Sequence, residues 1–321
     1  MKFTFNLTTS NEDLHRFPDR QSLLSLMEGF DGVELMYFGD DVRNIIPRNR
    51  VLGLHMNCPY AWLDRWNSDE YWLTKEYGSV EECVKICGGI GKESILRPFR
   101  ENLRIAKQYG VKYVVYHVSD CFIEESFTWK YHHTDEEVID ATCDMLNELF
   151  AGEDGSIALL LENLWQPGLT FTKPEMTRRL LDGIRYPNKG IMLDTGHLFH
   201  TDTSIRTQEA GVAYINRMLD DHGDLCRYIR GVHLNQSLTG EYCEQTAANP
   251  PVMKEDYGAR SFQAFTHAFA ADKHEPFTCD GVDELIRRIN PEYVTFEFIT
   301  DNSEQHQRYL DAQKKALKSF F

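Results

Sequence analysis

The chain has 321 residues, 42% of them hydrophobic, and a formal net charge of −16 at pH 7. This length suits one (β/α) barrel; the negative balance disfavours nucleic acid as a partner, although metal ions in a site would add positive charge that the count omits. No apolar run approaches the ~20 residues of a membrane span, and eight cysteines without a CxxC pair read as free thiols in a reducing, cytoplasmic setting.

Lys2 to Leu7 reads as the first strand, and Gln21 to Phe30 as a short helix with Leu23, Leu24, Leu26 and Met27 on its buried side. Gly32-Val-Glu-Leu-Met-Tyr37 is the second strand, a brief helix is expected from Asp41 to Ile46 before Pro47, and the third strand ends at His55. Met56 to Gly91 is a long connection carrying Tyr60, Trp62, Trp66, Tyr71, Trp72 and Tyr77. Loops of that length in a compact domain are usually functional. This one reads either as a lid packed on its own aromatics or as a flap that touches substrate, with Tyr60 and Trp62 as the contacts. Ser94 to Tyr109 is a helix stopped by Gly110.

The fourth strand, Val111 to His117, leads into a loop with Phe122, Phe127, Trp129 and Tyr131, where His132-His133 reads as a solvated pair. Thr134-Asp-Glu-Glu137 is a capping box opening a helix to about Phe150. The fifth strand ends at Glu162 and is followed by a helix from Lys173 to Ile184, with Pro174 in its first turn. Gly190-Ile-Met-Leu-Asp194 is the sixth strand, with His197 three residues on and a helix from Thr207 to Leu219; the seventh strand is Ile229 to His233. Leu234 to Ala271 reads as an irregular insertion containing Pro250, Pro251 and Gly258, and ends in Asp272-Lys-His274. A helix from Asp280 to Ile289, an eighth strand from Tyr293 to Glu297 and a closing amphipathic helix from Ser303 to Leu317 complete the chain. Eight strands alternating with helices predict an α/β fold, a (β/α)8 TIM barrel spanning 1–321 as a single domain, with long loops after strands 3 and 7.

Six of these strands deliver an acid or an imidazole at their exits: His55, His117, Glu162, Asp194, His233 and Glu297. In a parallel barrel those ends converge on one cavity. Glu162, Asp194, His233 and Glu297 would form an oxygen-rich cage suited to Mn²⁺, Mg²⁺ or Co²⁺, and the further donors His55, His117, His197, His274 and Asp272 shift the preference toward Zn²⁺. Nine donors are too many for one ion. They suit two or three, bridged by a carboxylate such as Glu162 at ~3.5–4 Å separation.

Asp194-Thr-Gly-His197, Arg230-Gly-Val-His233-Leu-Asn235, Asp272-Lys-His274 and Glu297 resemble AP endonuclease family 2, the endonuclease IV members of the xylose-isomerase-like TIM-barrel superfamily, over nearly the whole chain. The resemblance implies one zinc on His55, His117 and Glu162, a second on Glu162, Asp194, His233 and Glu297, and a third on His197, Asp272 and His274, with hydrolysis of a phosphodiester beside an abasic site. Two departures point from DNA toward another phosphoester. Tyr37-Phe-Gly-Asp-Asp41 stands where members acting on DNA carry a basic, amide-rich stretch, and the His233–Asp272 segment is long.

The chain also resembles the sugar and sugar-phosphate isomerases and epimerases of the same superfamily, in which Gly32-Val-Glu34-Leu is a recurrent strand. That likeness implies one metal on Glu162, Asp194, His233 and Glu297, with Glu162 and Glu297 as a catalytic acid/base pair acting on a small-molecule sugar. A metal-binding barrel without catalysis is the third reading. Asn163 and Asn235 are expected to orient substrate or ligands, Lys273 to face a substrate phosphate, and His200 and Asp202 to support the ligands. His15, His222, His267 and His306 have no assigned role.

Overall fold

Eight short runs of β-branched and aliphatic residues form parallel strands that close on themselves in chain order. They are β1 (Lys2–Thr8), β2 (Gly32–Met36), β3 (Val51–His55), β4 (Tyr113–His117), β5 (Ala158–Glu162), β6 (Lys189–Asp194), β7 (Ile229–Leu234) and β8 (Tyr293–Phe296). The structure is a computed structural model describing residues 1–57 and 61–321, so Tyr60 lies outside the described residues. Closure comes from β1, which pairs in parallel with both β2 and β8. The strands are buried on both faces, which is why they read as apolar runs.

Side chains alternate between two cores. Outward-facing residues such as Phe5, Leu54, Leu161 and Val232 join helical residues such as Leu23, Phe99, Leu146 and Leu310 in the main hydrophobic cluster. The barrel interior is a separate cluster of Tyr113, Val115, Ala158, Leu160 and Met192. Tyr113 can cross the interior because β3 carries Gly53: a Cβ there would lie 2.2 Å from the ring.

Register fixes the height of the strand ends. His117 pairs with Glu162, and Asp194 with His233, so the donors of neighbouring strands emerge side by side.

Three expectations for the connections need correction. Asp41–Ile46 is not a helix, because the Asp41 carboxylate accepts the Ile46 N–H at 2.7 Å and closes a turn instead; the helical turn is 3-10 and lies at Arg48–Arg50. Among the described residues, the connection after β3 contains three short helices, Leu63–Asn67, Glu70–Tyr77 and Val80–Cys87, the latter two capped by Asp69 and Ser79. The segment after β7 is likewise ordered, as Gly240–Ala248 and Tyr257–Ala271. Among the described residues no helix is long and apolar enough to cross a membrane.

Candidate metal centre

The last residue of β3, β4, β5 and β6 is His55, His117, Glu162 and Asp194 in turn, His233 lies one residue before the end of β7, and Glu297 follows β8 directly. Asp194 also caps the helix Thr195–His200, its Oδ1 accepting the His197 N–H at 2.6 Å. The chain therefore turns at once into a helix that brings His197 back over the barrel mouth. Gly196 permits this turn, since a Cβ there would lie 1.9 Å from Asn235 Oδ1. The helix Tyr257–Ala271 delivers Asp272, and Ser237 Oγ pins the segment by donating to Asp272 Oδ1 at 2.8 Å and accepting the N–H groups of Lys273 and His274.

The imidazoles are oriented by a repeated device. Nδ1 of His55, His197 and His274 donates to the backbone carbonyls of Met56, Asn163 and Glu297 at 3.0, 2.9 and 3.1 Å. Each Nε2 is left with a lone pair, and that lone pair faces a carboxylate. His55 Nε2 lies 3.1 Å from Glu162 Oε2 and 3.0 Å from His117 Nε2. Asp272 Oδ2 lies 3.1 Å from His197 Nε2 and 2.7 Å from His274 Nε2. Glu162 sits between two groups: Oε2 faces His55 and His117, and Oε1 lies 3.1 Å from His233 Nδ1.

His233 is held from below. Its Nε2 lies 2.9 Å from Glu34 Oε1, while Glu34 Oε2 accepts from Tyr113 Oη at 2.8 Å and Thr295 Oγ1 at 3.1 Å. Sequence reasoning assigns Glu34 no place in the site. Its signal is an acid in the middle of a strand buried on both faces. Ser237 gives no comparable signal.

Electrostatics follow from this crowding. Burial pushes Asp194 up to about 7. Burial also acts to raise Glu162, but His233 and His117 prevail and hold its carboxyl well below the usual range. His274 is pushed up to about 9, burial being overcome by Asp272 and Glu297. His233 lies well above its ordinary value, because Glu297, Glu34 and Glu162 outweigh its burial.

The donor set fits divalent cations. Donor atoms lie within 4.8 Å of one another in the groups His55–His117–Glu162, Glu162–Asp194–His233–Glu297 and Asp194–His197–His274. Lone pairs of Nε2 aimed at carboxylate oxygens need a proton or a cation between them, and Glu297 Oε2 is buried 3.1 Å from His233 Nδ1 without hydrogen-bond geometry.

The structure brings the nine predicted donors to one mouth, but the other expected contacts divide. Asn163 and Asn235 are fully buried and both hold Asp194: Asn163 pairs with its backbone N–H and C=O at 2.9 and 3.0 Å, and Asn235 Nδ2 donates to Oδ2 at 2.8 Å. Trp62 lines the cavity. Lys273 is exposed and is not among the residues lining it. His200 lies 3.4 Å from Asp272 Oδ1, whereas Asp202 bonds Ser204. His132 and His133 are not a solvated pair, being largely enclosed around Asp64.

Above the donors lies a cavity of about 350 Å³, with His55, His117, His197 and Asp272 in its wall. The rest of the wall is largely apolar, including Trp62, Phe122, Trp165 and Phe269, and no Lys or Arg lines it among the described residues.

A model of the family described as xylose isomerase-like TIM barrel matches residues 88–319. Among solved structures, the chain is similar to endonuclease IV from Thermus thermophilus, at 14% identity with 99% of this chain and 100% of that chain covered and a TM-score of 0.55. It is also similar to a D-tagatose 3-epimerase-like protein, at 16% identity with 100% and 98% covered and a TM-score of 0.53. At these identities the likeness is one of fold.

Proposed function

The chain belongs to the xylose isomerase-like TIM-barrel family, and from that premise we propose that it is a divalent-metal-dependent hydrolase of the endonuclease IV type, acting on a phosphoester other than DNA. The supporting observation is that eight of the nine donors form adjoining groups, with the two oxygens of Glu162 turned to different ones, and that Asp272 Oδ2 lies beside His197 and His274 at 3.1 and 2.7 Å. His55, His117 and Glu162 would hold one ion, Glu162, Asp194, His233 and Glu297 a second, and His197, Asp272 and His274 a third. Zinc is preferred because five imidazoles take part, with manganese, magnesium or cobalt as alternatives.

Bound ions of this kind would supply Lewis-acid polarisation of the ester and neutralise negative charge on the phosphoryl and leaving-group oxygens. The protein's own part is to orient and enclose. Glu34 fixes the ring of His233, Asn163 and Asn235 fix Asp194, and Trp62, Phe122 and Trp165 exclude water and offer ring faces to the substrate's apolar portion. A wall without Lys or Arg gives a long polyanion nothing to track, which agrees with the net charge of −16. A small phosphoester fits better than a nucleic acid. Crystals measured at the zinc edge are expected to show two or three ions at the barrel mouth, with turnover of small phosphoesters; one ion and no such turnover would overturn the reading.

A single-metal sugar isomerase or epimerase is the second reading, favoured by the compact group Glu162–Asp194–His233–Glu297 and by the largely apolar, aromatic upper wall. Glu162 and Glu297 would then pass a proton between carbon positions beside a carbonyl. One manganese or magnesium per barrel mouth, with turnover on a sugar panel, would select it.

A further inference from the structure

A second cluster of metal-ligating side chains lies outside the nine donors, in the connections that follow β3 and β4. Asp64 belongs to the helix Leu63–Asn67, Asp120 follows β4, and His132 and His133 precede the helix Asp135–Leu149. Asp64 Oδ2 lies 2.9 Å from His132 Nε2 and 3.3 Å from His133 Nε2, and Asp120 Oδ2 lies 3.9 Å from the same His133 nitrogen.

We propose that Asp64, Asp120, His132 and His133 form a structural site for a divalent transition cation, zinc by its two-imidazole, two-carboxylate donor set. Asp64 Oδ2 stands 2.9 and 3.3 Å from the two imidazole nitrogens, close to the separation of two ligands each about 2 Å from one tetrahedral ion.

Asp120 supplies the independent observation. It is 3% exposed, its Oδ1 accepts the N–H groups of Trp62 and Leu63 at 2.7 and 3.0 Å, and its Oδ2 is buried with no hydrogen-bond partner. A carboxylate held by one oxygen, with the other sealed from water and only the His133 ring 3.9 Å away, lacks a hydrogen-bonding partner whose place a bound cation would take. Burial accordingly pushes Asp120 up to about 6.

The surroundings repeat the orienting device of the barrel mouth. His132 Nδ1 donates to Glu125 Oε1 at 2.6 Å, and Glu125 is itself fixed by the N–H groups of His132 and Phe122 at 2.9 and 3.0 Å. That sets the tautomer and turns the Nε2 lone pair toward Asp64. Rings of Trp72 and Phe122, centred 4.1 and 4.3 Å away, keep the imidazole from swinging.

A cation here would staple the connection after β3 to the one after β4. Both contribute to the cavity wall, through Trp62 from the first and Ser119, Phe122 and Ile123 from the second. The ion would therefore brace one side of the substrate cavity without touching substrate.

Asp120→Asn and His133→Gln test this in the full-length chain, with zinc as the probe. Asp120→Asn keeps an oxygen for Trp62 and Leu63, so the fold survives the loss of a ligand. Each variant is expected to bind one zinc fewer per chain than wild type, and wild-type crystals at the zinc edge to show a peak between Asp64 and His133. His274→Ala, at the barrel mouth, is expected to keep that peak whatever happens to the mouth ions, so this assignment and the proposed function fail separately. Equal zinc content in wild type and both folded variants, with no peak at Asp64, would overturn the site and leave an ion-pair network of protonated imidazoles.

Discussion

Glu34 Oε1 lies 2.9 Å beneath His233 Nε2, and both side chains are sealed from solvent at the floor of the barrel mouth. The acid makes His233 a better donor on its other nitrogen and fixes the plane of its ring, as carboxylates behind metal-bound imidazoles do.

Glu34→Gln should therefore fold, since an amide oxygen can still accept from Tyr113 and Thr295, yet lose roughly 10- to 100-fold in metal affinity or activity. A zinc-competition titration measures the first. Affinity equal to wild type would show that Glu34 is only a packing partner of Tyr113.

Glu162 turns its two oxygens toward different donor groups, so Glu162→Gln removes charge from both at once. Turnover should fall by roughly 10²–10³-fold or more, the scale of losing a principal charge-stabilising group. Steady-state kcat on the best substrate reads the effect, and residual activity near wild type would count against both catalytic readings.

The zinc-free protein should lose stability as pH rises from 6.5 to 9. His274, raised from 6.5 to about 9, contributes stability that is complete below 6.5 and disappears as pH passes its folded value. Burial-raised Asp194, at about 7, acts in the same direction between 3.8 and 7, so that most of its effect is spent before this interval. Thermal melts of chelator-treated protein at pH 6.5 and 9 test the sign, with a smaller drop expected in His274→Gln. A melting temperature that climbs over this interval in wild type and variant alike would refute it.

At Gly196, a methyl group would meet Asn235 Oδ1 at 1.9 Å, and Asn235 holds Asp194. Gly196→Ala should destabilise by roughly 1–3 kcal/mol, the usual cost of overpacking, and should weaken metal binding with it. Denaturant unfolding beside a zinc titration would separate the two effects; an unchanged midpoint would mean that the helix Thr195–His200 shifts freely.

The barrel is legible in the sequence because its strands are short apolar runs that end abruptly in His, Asp or Glu, and such punctuation survives without knowledge of tertiary contacts. Six of the nine candidate donors follow from the same rule, while His197, Asp272 and His274 lie beyond the strand exits. Glu34 escapes it because it sits inside its strand, not at the exit, and only closure of the barrel reveals that its side chain points at His233. His132 and His133 read as solvated for a related reason: the residue that gathers them, Asp64, is far away in sequence and lies in a helix hidden among the aromatics after His55. The helices after β7 are obscured because Pro250, Pro251 and Gly258 interrupt the segment, although Asp256 caps the second of them.

The strand register carries one more consequence. His117 stands level with Glu162, and Asp194 with His233, on adjoining staves, so lengthening or rewriting the connecting loops can retune what enters the cavity while the donors keep their places. A slip of a single residue within one stave would instead turn its donor toward the helices. Substitutions at the rim can therefore alter the entrance without moving the ring of acids and imidazoles below it.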